Sequence, residues 1–524
     1  MADDKDNIIV QELSSADKTL SAFNLNALYG ESEEASIEEL FGLAASDKEH
    51  TVLVLPSISV ERNILENIIG INHYESRGLW EILNAKNSNI KILYISSLPI
   101  EQVVIDQLLS HIPQAKEIKK RIQFISLNNA EVGKSLTDKI LSNIFYIKKI
   151  KSLIEPKNTY MNSFLVTESE RKLAEVLGIP LFGSQERFDY YHTKSGNRVL
   201  FQESGVPFSP GFGDLKSIGH LVMAIENLWR RFPRDKKIMI KLDRGVSGEG
   251  NALLIIPDAF PDYSVFKKTI PDDEKRQFIT NLLPQMKFLG KNMNWQNFHK
   301  EIAKGVVAER YLEGDMVSSP SCQGKIYPNG RVEILSTHEQ ILNELGNCYL
   351  GSEFPCRSDY RNQIQIYAMR VGKAMAKKGL IGYFSIDYLM TENQSENKIW
   401  AIEINIRQGG TTHPYKTAKL LTGSVYDEKK GILSNPKCKN IVYKSNDNFV
   451  DPRFIGKTPE QFLDFLCHRE IIFSAATNRG VVFHILGAMN EFGKIGFTMI
   501  GQEQEQVNSM VAHLYSLIEE FLAT

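Results

Sequence analysis

GYFSIDYLMTENQSENKIWAIEINIRQGGTTHP, residues 382–414, is two apolar runs separated by a polar turn and closed by a glycine-rich stretch. That pattern predicts a β-hairpin. With the turn centred on Ser395, Asp387 falls opposite Glu403. Strand alternation puts Asn405 on the face of Glu403, one pleat along. Two like charges opposed across a hairpin destabilise it, unless a hard cation sits between them. Two carboxylates and an amide oxygen suit Mg2+, which keeps waters and takes its other ligands from phosphate. The flanking Ile386, Ile402 and Ile404 are core-like, which argues against a merely solvent-facing acidic pair.

Three upstream stretches carry related chemistry. In KIMIKLDRGVSGEGNALLII (237–256) an apolar strand delivers Lys241, a loop with Gly245, Gly248 and Gly250 follows, and then a second strand. Glycines let backbone N–H groups approach an anion, and the lysine adds a point charge. No G-K-[ST] and no helix follow, so this is not a Walker loop; alone, it also fits a hairpin with a solvated lysine. GVVAERYLEGD (305–315) is a strand ending in Glu309-Arg310-Tyr311-Leu312 before a turn at Gly314. In YYHTKSGNRVLFQESGVPFSPG (190–211), Lys194 opens a helix; by itself it reads as a surface lysine.

In this order the four stretches resemble the ATP-grasp superfamily, with ATP and one or two Mg2+ as the implied cofactors. The resemblance makes Lys194 and Lys241 the lysines on the nucleotide phosphates. It makes the loop with Gly245, Ser247, Gly248, Gly250 and Asn251 the phosphate lid, and Glu309, Arg310, Tyr311 and Leu312 the adenine hinge. Asp387, Glu403 and Asn405 become the magnesium ligands. Either Glu313 or Asp315 is implied on the ribose. PSISVERN, HYESRGLW (73–80), TKSGNRVLF (193–201), SPSCQ (319–323), STHEQIL (336–342), EINIRQGGTTHP and GVVFHILGAMNEFGKIG (480–496) further resemble the pheganomycin-type peptide ligases. These join a pre-ATP-grasp domain, an ATP-grasp domain and a small C-terminal domain. Ser385 stands where many relatives of the D-alanine-ligase type carry arginine, so Arg407 becomes the candidate for charge stabilisation at the transferring phosphoryl group. Cys322 in SPSCQ reads as a small buried hydrophobe.

Around this core, TVLVLP (51–56), KILYISSLP (91–99) and RIQFISL (121–127) are short apolar runs with helical patterns such as VVIDQLLSHI (103–112) between them. Strand and helix alternation predicts a doubly wound parallel sheet ending near LGIPLFG (177–183). PSISVERN replaces the G-x-G-x-x-G of a dinucleotide site, which removes the support for an oxidoreductase. At roughly 100–200 residues per domain, 524 residues predict about three. The expected division is an acidic mobile leader over 1–47, a pre-ATP-grasp α/β domain over 48–188, an α+β ATP-grasp catalytic domain over 189–425 and a small α/β C-terminal domain over 426–524, with 430–455 as loop. Up to Glu49 there are twelve acidic residues against three lysines, and a regulatory tail is the alternative to a mobile leader.

A balance of 61 basic against 63 acidic residues gives no basic field for nucleic acid. No apolar run approaches a membrane span. Five cysteines without C-x-x-C, and an acidic start MADDKDNIIV, predict a reducing cytoplasm. His338-Glu339 continues Gln-Ile-Leu and so is no H-E-x-x-H zinc site.

The resemblance implies carboxylate–amine ligation: ATP phosphorylates a carboxylate, and an amine displaces phosphate from the acyl phosphate. The expected partners are a small-molecule carboxylate and an amino-acid or peptide amine; a homodimer is compatible with this. Arg407 would hold the acyl phosphate or make a structural salt bridge. His338 and His413 are the candidates for taking a proton from the attacking ammonium, and each also reads as a satisfied polar group. Modification of a protein acceptor and a nucleotide-binding regulator without turnover are the alternatives.

Overall fold

The structure is a computed structural model that describes residues 48–245, 248–290, 293–314, 316–342, 349–392 and 397–523. The leader 1–47, Ser247, Asp315 and the turn at Ser395 lie outside the described residues.

The first unit is a parallel sheet of β1 (His50–Leu55), β2 (Ile90–Ser96), β3 (Ile122–Ser126), β4 (Thr159–Ser163) and β5 (Leu181–Phe182), in the order β3-β2-β1-β4-β5. In β1, Val52 and Val54 enter one core while Leu53 and Leu55 enter another. Both faces are covered, so the strand needs a continuous apolar run and not an alternating one. The expected strands are present; β4, with the sequence TYMNS, has no such run and was not foreseen.

The second sheet is antiparallel. β6 (Gly211–Phe212), β7 (Lys237–Leu242), β8 (Asn251–Ile255), β9 (Lys287–Phe288) and β10 (Val306–Arg310) lie in the order β6-β10-β7-β8-β9. Helix Ile218–Arg231 covers one face through Leu221, Ile225, Leu228 and Trp229.

The third sheet carries the hairpin. It contains β11 (Met316–Ser318), β12 (Pro320–Ile326), β13 (Val332–Leu342), β14 (Tyr349–Phe354), β15 (Gly382–Glu392) and β16 (Asn397–Asn405). It continues through β17 (Val425–Asp427), β18 (Ile432–Asn435), β19 (Cys438–Val450), β20 (Gly480–His484) and β21 (Lys494–Gly501). Helix Ser358–Lys378 buries Ile364, Ala368, Val371 and Met375 with residues of β12 and β15.

The expected loop over 430–455 is corrected here. β19 is an interior strand, paired to β14 on one side and β21 on the other. Its asparagines and Asp447 disguise it, yet Tyr443, Ser445 and Asp447 alternate inward. The sheet therefore runs unbroken past residue 425. The last strands and helix Gln504–Ala523 also share one core with the first unit, Val104 and Leu108 joining Phe483 and Leu514. Among the described residues no helix is long and apolar enough to cross a membrane.

The β14–β19 junction gives a direct test. A Cβ added at Gly351 would fall on the backbone carbonyl of Ser445. Gly351→Ala is expected to cost about 1–3 kcal/mol of stability, as overpacking does, read as the denaturant midpoint; an unchanged midpoint would mean that the strands do not meet there.

Candidate functional site

In the hairpin, Asp387 pairs with Glu403 and Ser385 with Asn405, in the register expected. A one-residue slip follows between Asp387 and Tyr388, so the turn half is offset and the carboxylate half is not. Asp387 Oδ1 accepts from Gln340 Nε2 at 2.7 Å and Oδ2 from Asn405 Nδ2 at 3.0 Å. Asn405 Oδ1 accepts from Arg407 Nη2 at 3.0 Å. Burial, and then the charge of Glu403, push the Asp387 carboxyl up to about 7. Burial would also raise Glu403, but the Lys194 and Lys241 charges outweigh it and hold Glu403 below the ordinary carboxylate value. Glu403 Oε1 lies 3.2 Å from Lys194 Nζ.

This donor set fits Mg2+. It is all oxygen, and one carboxylate is driven towards protonation by the other, a penalty that a divalent cation between them removes. Among the described residues no three His, Cys, Asp or Glu side chains converge, so a cation here would take its remaining ligands from water and phosphate.

Lys194 is positioned by its helix, Lys194–Ser204. Thr193 Oγ1 accepts from Gly196 N at 3.0 Å as the N-cap, and Gly205, at φ +62°, ends the helix in the left-handed region. Ser195 locks that helix to the loop after β7, its N and Oγ bonding Asp243 Oδ1 at 2.8 and 2.7 Å. Lys194 Nζ donates to Gly245 O at 2.7 Å. Lys241 pairs with Glu309, which Arg198 also holds at 3.1 Å.

The loop glycines divide by function. Gly248 has φ +76°, whereas a Cβ on Gly245 would lie 2.9 Å from Gly250 Cα. Gly245 and Gly250 thus let the two ends of the loop close on each other, sealed by Leu242 N to Gly250 O at 2.9 Å. Asn251 Oδ1, at the start of β8, is buried without a hydrogen-bond partner.

The expected adenine hinge is partly engaged within the protein. Glu309 is buried between Lys241 and Arg198. Arg310 Nε bonds Asp235 at 2.6 Å, Lys237 Nζ sits 5.3 Å from the Tyr311 ring centroid, and the exposed Glu313 takes Lys237 Nζ at 2.6 Å. Leu312 follows in the connection to β11.

Both histidine expectations change. His338 is fully buried, bonds Tyr443 Oη at 2.6 Å and packs against Phe354. Burial lowers it to about 3, so it is a neutral residue of the core. His413 is also buried, and both ring nitrogens are engaged. Nε2 donates to Asp447 Oδ1 at 3.0 Å, and Nδ1 accepts from Arg77 Nε at 3.4 Å. Its acceptor lone pair faces Arg77. Asp447 sits at about 2, because His413 and Arg77 overcome the effect of burial.

Arg407 stands where expected, beside the metal-ligand candidates. It bonds Asn405 Oδ1 and Gln408 O, and among the described residues makes no ion pair within 4.0 Å. Arg77 and Arg407 flank Phe164, 5.5 and 5.9 Å from its ring centroid. Arg77 lines a cleft between the end of β1, the 3₁₀ segment Ile71–Lys86 and the 408–413 turn. Arg77, Arg198, Gln340 and Asp447 were missed as site residues. Three lie in the motifs HYESRGLW, TKSGNRVLF and STHEQIL, as polar residues inside apolar stretches; Asp447 was hidden by the loop reading.

Residues 186–429 match a family model described as IQCH-like, ATP-grasp, and residues 462–513 match one described as the PGM1 C-terminal domain. Over 91% of its length the chain is 22% identical to L-propargylglycine–L-glutamate ligase of Streptantibioticus cattleyicolor, covering 96% of that protein. Its fold is similar to the biotin carboxylase domain of Hydrogenobacter thermophilus 2-oxoglutarate carboxylase (TM-score 0.51, 13% identity, 90% of this chain and 89% of that one), which was solved with MgADP, ADP and bicarbonate. It is also similar to N5-carboxyaminoimidazole synthetase of Staphylococcus aureus (TM-score 0.50, 13% identity, 90% and 98%).

The opposed carboxylates predict a stability gain from a damaging substitution. Because the folded-state value of Asp387 is raised from 3.8 to about 7, the folded chain keeps a proton that the unfolded chain has released over that window. Stability falls as pH rises through it. In metal-free buffer Asp387→Asn is expected to be more stable than the natural protein, by about 1–3 kcal/mol at pH 7 and by less towards pH 4. Denaturant titrations at several pH values read this; a variant less stable at pH 7 would mean that the pair is not strained.

Proposed function

We propose that this chain is an ATP-grasp protein and an ATP-dependent carboxylate–amine ligase. It joins an amino acid or related carboxylate to the amine of an amino acid or peptide and releases ADP and phosphate. The observation that carries this reading is the convergence of Lys194, Glu403, Asp387, Asn405 and Arg407 through direct contacts, with Lys241 acting on the same carboxylate. The narrow, partly enclosed cleft beside Arg407 favours small substrates over a protein acceptor. The division into pre-ATP-grasp, ATP-grasp and C-terminal parts belongs to the same proposal, with the long sheet joining the last two.

A carboxylate is a poor electrophile, and an amine cannot expel oxide from it. Phosphoryl transfer converts that oxygen into a leaving group: the carboxylate oxygen attacks the γ-phosphorus of ATP and ADP departs. The amine then attacks the carbonyl carbon, loses a proton and expels phosphate. The protein's part is positioning and charge neutralisation. Lys194 and Lys241 exchange Gly245 O, Glu403 and Glu309 for phosphate oxygens, and the loop amides around Gly248 close over them. Asp387, Glu403 and Asn405 would hold Mg2+, which neutralises charge on the transferring phosphoryl group when bound. Arg407, between Asn405 and the cleft, receives the acyl phosphate through its guanidinium. With His338 and His413 engaged elsewhere, solvent takes the amine proton.

Two substitutions separate the nucleotide role from the acyl role. Lys241→Ala is expected to weaken ATP binding by about tenfold or more, the loss of a charge-assisted bond, with adenosine binding little changed. Arg407→Ala is expected to lower ligation about a hundredfold, on the scale of losing one oxyanion-stabilising donor, and to lower hydroxamate formation from added hydroxylamine in parallel, at near-constant ATP affinity. Equal loss of ATP and adenosine binding would assign Lys241 to the fold; a fully active Arg407→Ala, or AMP among the products, would contradict the acyl-phosphate reading.

A further inference from the structure

The cleft beside Arg407 has two signs of charge. On the Phe164 side stands Arg77, braced by His413 and by Asp447 at 3.6 Å. Elsewhere in its wall stand Glu81 and Asn162, 4% and 7% exposed. Asn162 Nδ2 donates to Glu81 Oε1 at 2.5 Å, and Asn84 Nδ2 to Oε2 at 2.7 Å. Among the described residues no cation comes within 4.0 Å of Glu81; Lys416 and Lys325 act on it only through longer-range electrostatics. Asn162 Oδ1 is buried without a hydrogen-bond partner.

A guanidinium in one part of the wall, with a carboxylate that makes no ion pair within 4.0 Å and an amide oxygen without a hydrogen-bond partner in another, complements a small molecule that carries both charges. A buried acceptor such as Asn162 Oδ1 is costly when unsatisfied, and an ammonium supplies the donor it lacks while its charge complements Glu81, whose oxygens accept only from the neutral amides of Asn162 and Asn84. The apolar part of the wall, Val54, Pro56 and Ile58, suits a compact apolar side chain.

We propose that this cleft binds the acyl donor as an α-amino-acid zwitterion with a compact apolar side chain, its carboxylate at Arg77 beside Arg407 and its ammonium at Glu81 and Asn162. This rests on the ligase reading for its place in the reaction. It fixes the direction of the bond: an ammonium held at Glu81 stays protonated and is not the nucleophile, so the amino acid in this cleft gives its carboxyl group and the second substrate gives the amine. The pre-ATP-grasp unit, through Arg77, Glu81 and Asn162, then selects the donor.

Calorimetric titration of the full chain, with Mg2+ and a non-hydrolysable ATP analogue, tests the assignment with L-alanine, L-valine, L-norvaline, L-glutamate and L-lysine, and with valerate as deaminated norvaline. At least one apolar amino acid is expected to bind ten times more tightly than L-glutamate or L-lysine, and norvaline ten times more tightly than valerate. Asn162→Ala is expected to erase most of the norvaline–valerate difference while leaving nucleotide affinity nearly unchanged. Glu81→Gln is expected to do the same where it folds, and Asn162→Asp to restore the difference. No amino-acid binding, valerate bound as tightly as norvaline, or a difference that survives Asn162→Ala would overturn the pocket. An amino acid that binds as described, yet releases no ADP with any added amine, would leave the pocket standing and sink the ligase reading.

Discussion

The structure depends on one unfavourable pairing, two carboxylates opposed across β15 and β16. A hairpin built only for stability would place opposite charges or apolar side chains at Asp387 and Glu403. Here the chain surrounds the pair with compensating groups from separate elements. Lys194 comes from a helix N-terminus, Gln340 from β13, and Asn405 with Arg407 from the end of β16. Each of those elements is in turn fixed by something local. Thr193 and Gly205 bound the Lys194 helix, Asp243 ties it to the glycine loop, and helix Ser358–Lys378 buries an apolar face with the strands that carry the pair. A cation between the two carboxylates would relieve the strain, and the compensation is what lets the pair persist in a folded chain.

Much of this was legible in the residues. Alternation and the position of the turn were enough to set Asp387 against Glu403, because side-chain period in a strand is fixed at two. Continuous apolar runs identified β1, β2 and β3, since strands covered on both faces admit no polar position. What failed to show was of one kind: polar side chains that are buried for a purpose. β4 and β19 carry Asn162, Ser163, Ser445 and Asp447 inward, so β19 looked like loop and β4 was not foreseen. Their polar residues are the ones that build the cleft and brace Arg77. The histidines misled for the complementary reason. A sequence shows a titratable ring but not the Tyr443 hydroxyl or the Arg77–Asp447 pair that occupies it.

The long sheet also explains how the units cooperate. β19 completes the sheet beside β14 and supplies Asp447, Asp447 holds His413, and His413 holds Arg77 from the first unit. Asp447 therefore orients Arg77, through His413, in the cleft near the β15–β16 hairpin. The last strands are part of the site's framework and not an appendage to it, which accounts for the core shared between the first and last units.

The central claim is that the chain activates a carboxylate by phosphorylating it. The most direct measurement supplies a carboxylate substrate labelled with ¹⁸O in its carboxyl group, together with ATP, Mg2+ and an acceptor amine, and analyses the released phosphate by mass spectrometry. One ¹⁸O per phosphate, appearing in step with ligated product, is the predicted result. Unlabelled phosphate alongside product, or label carried into AMP, would contradict it.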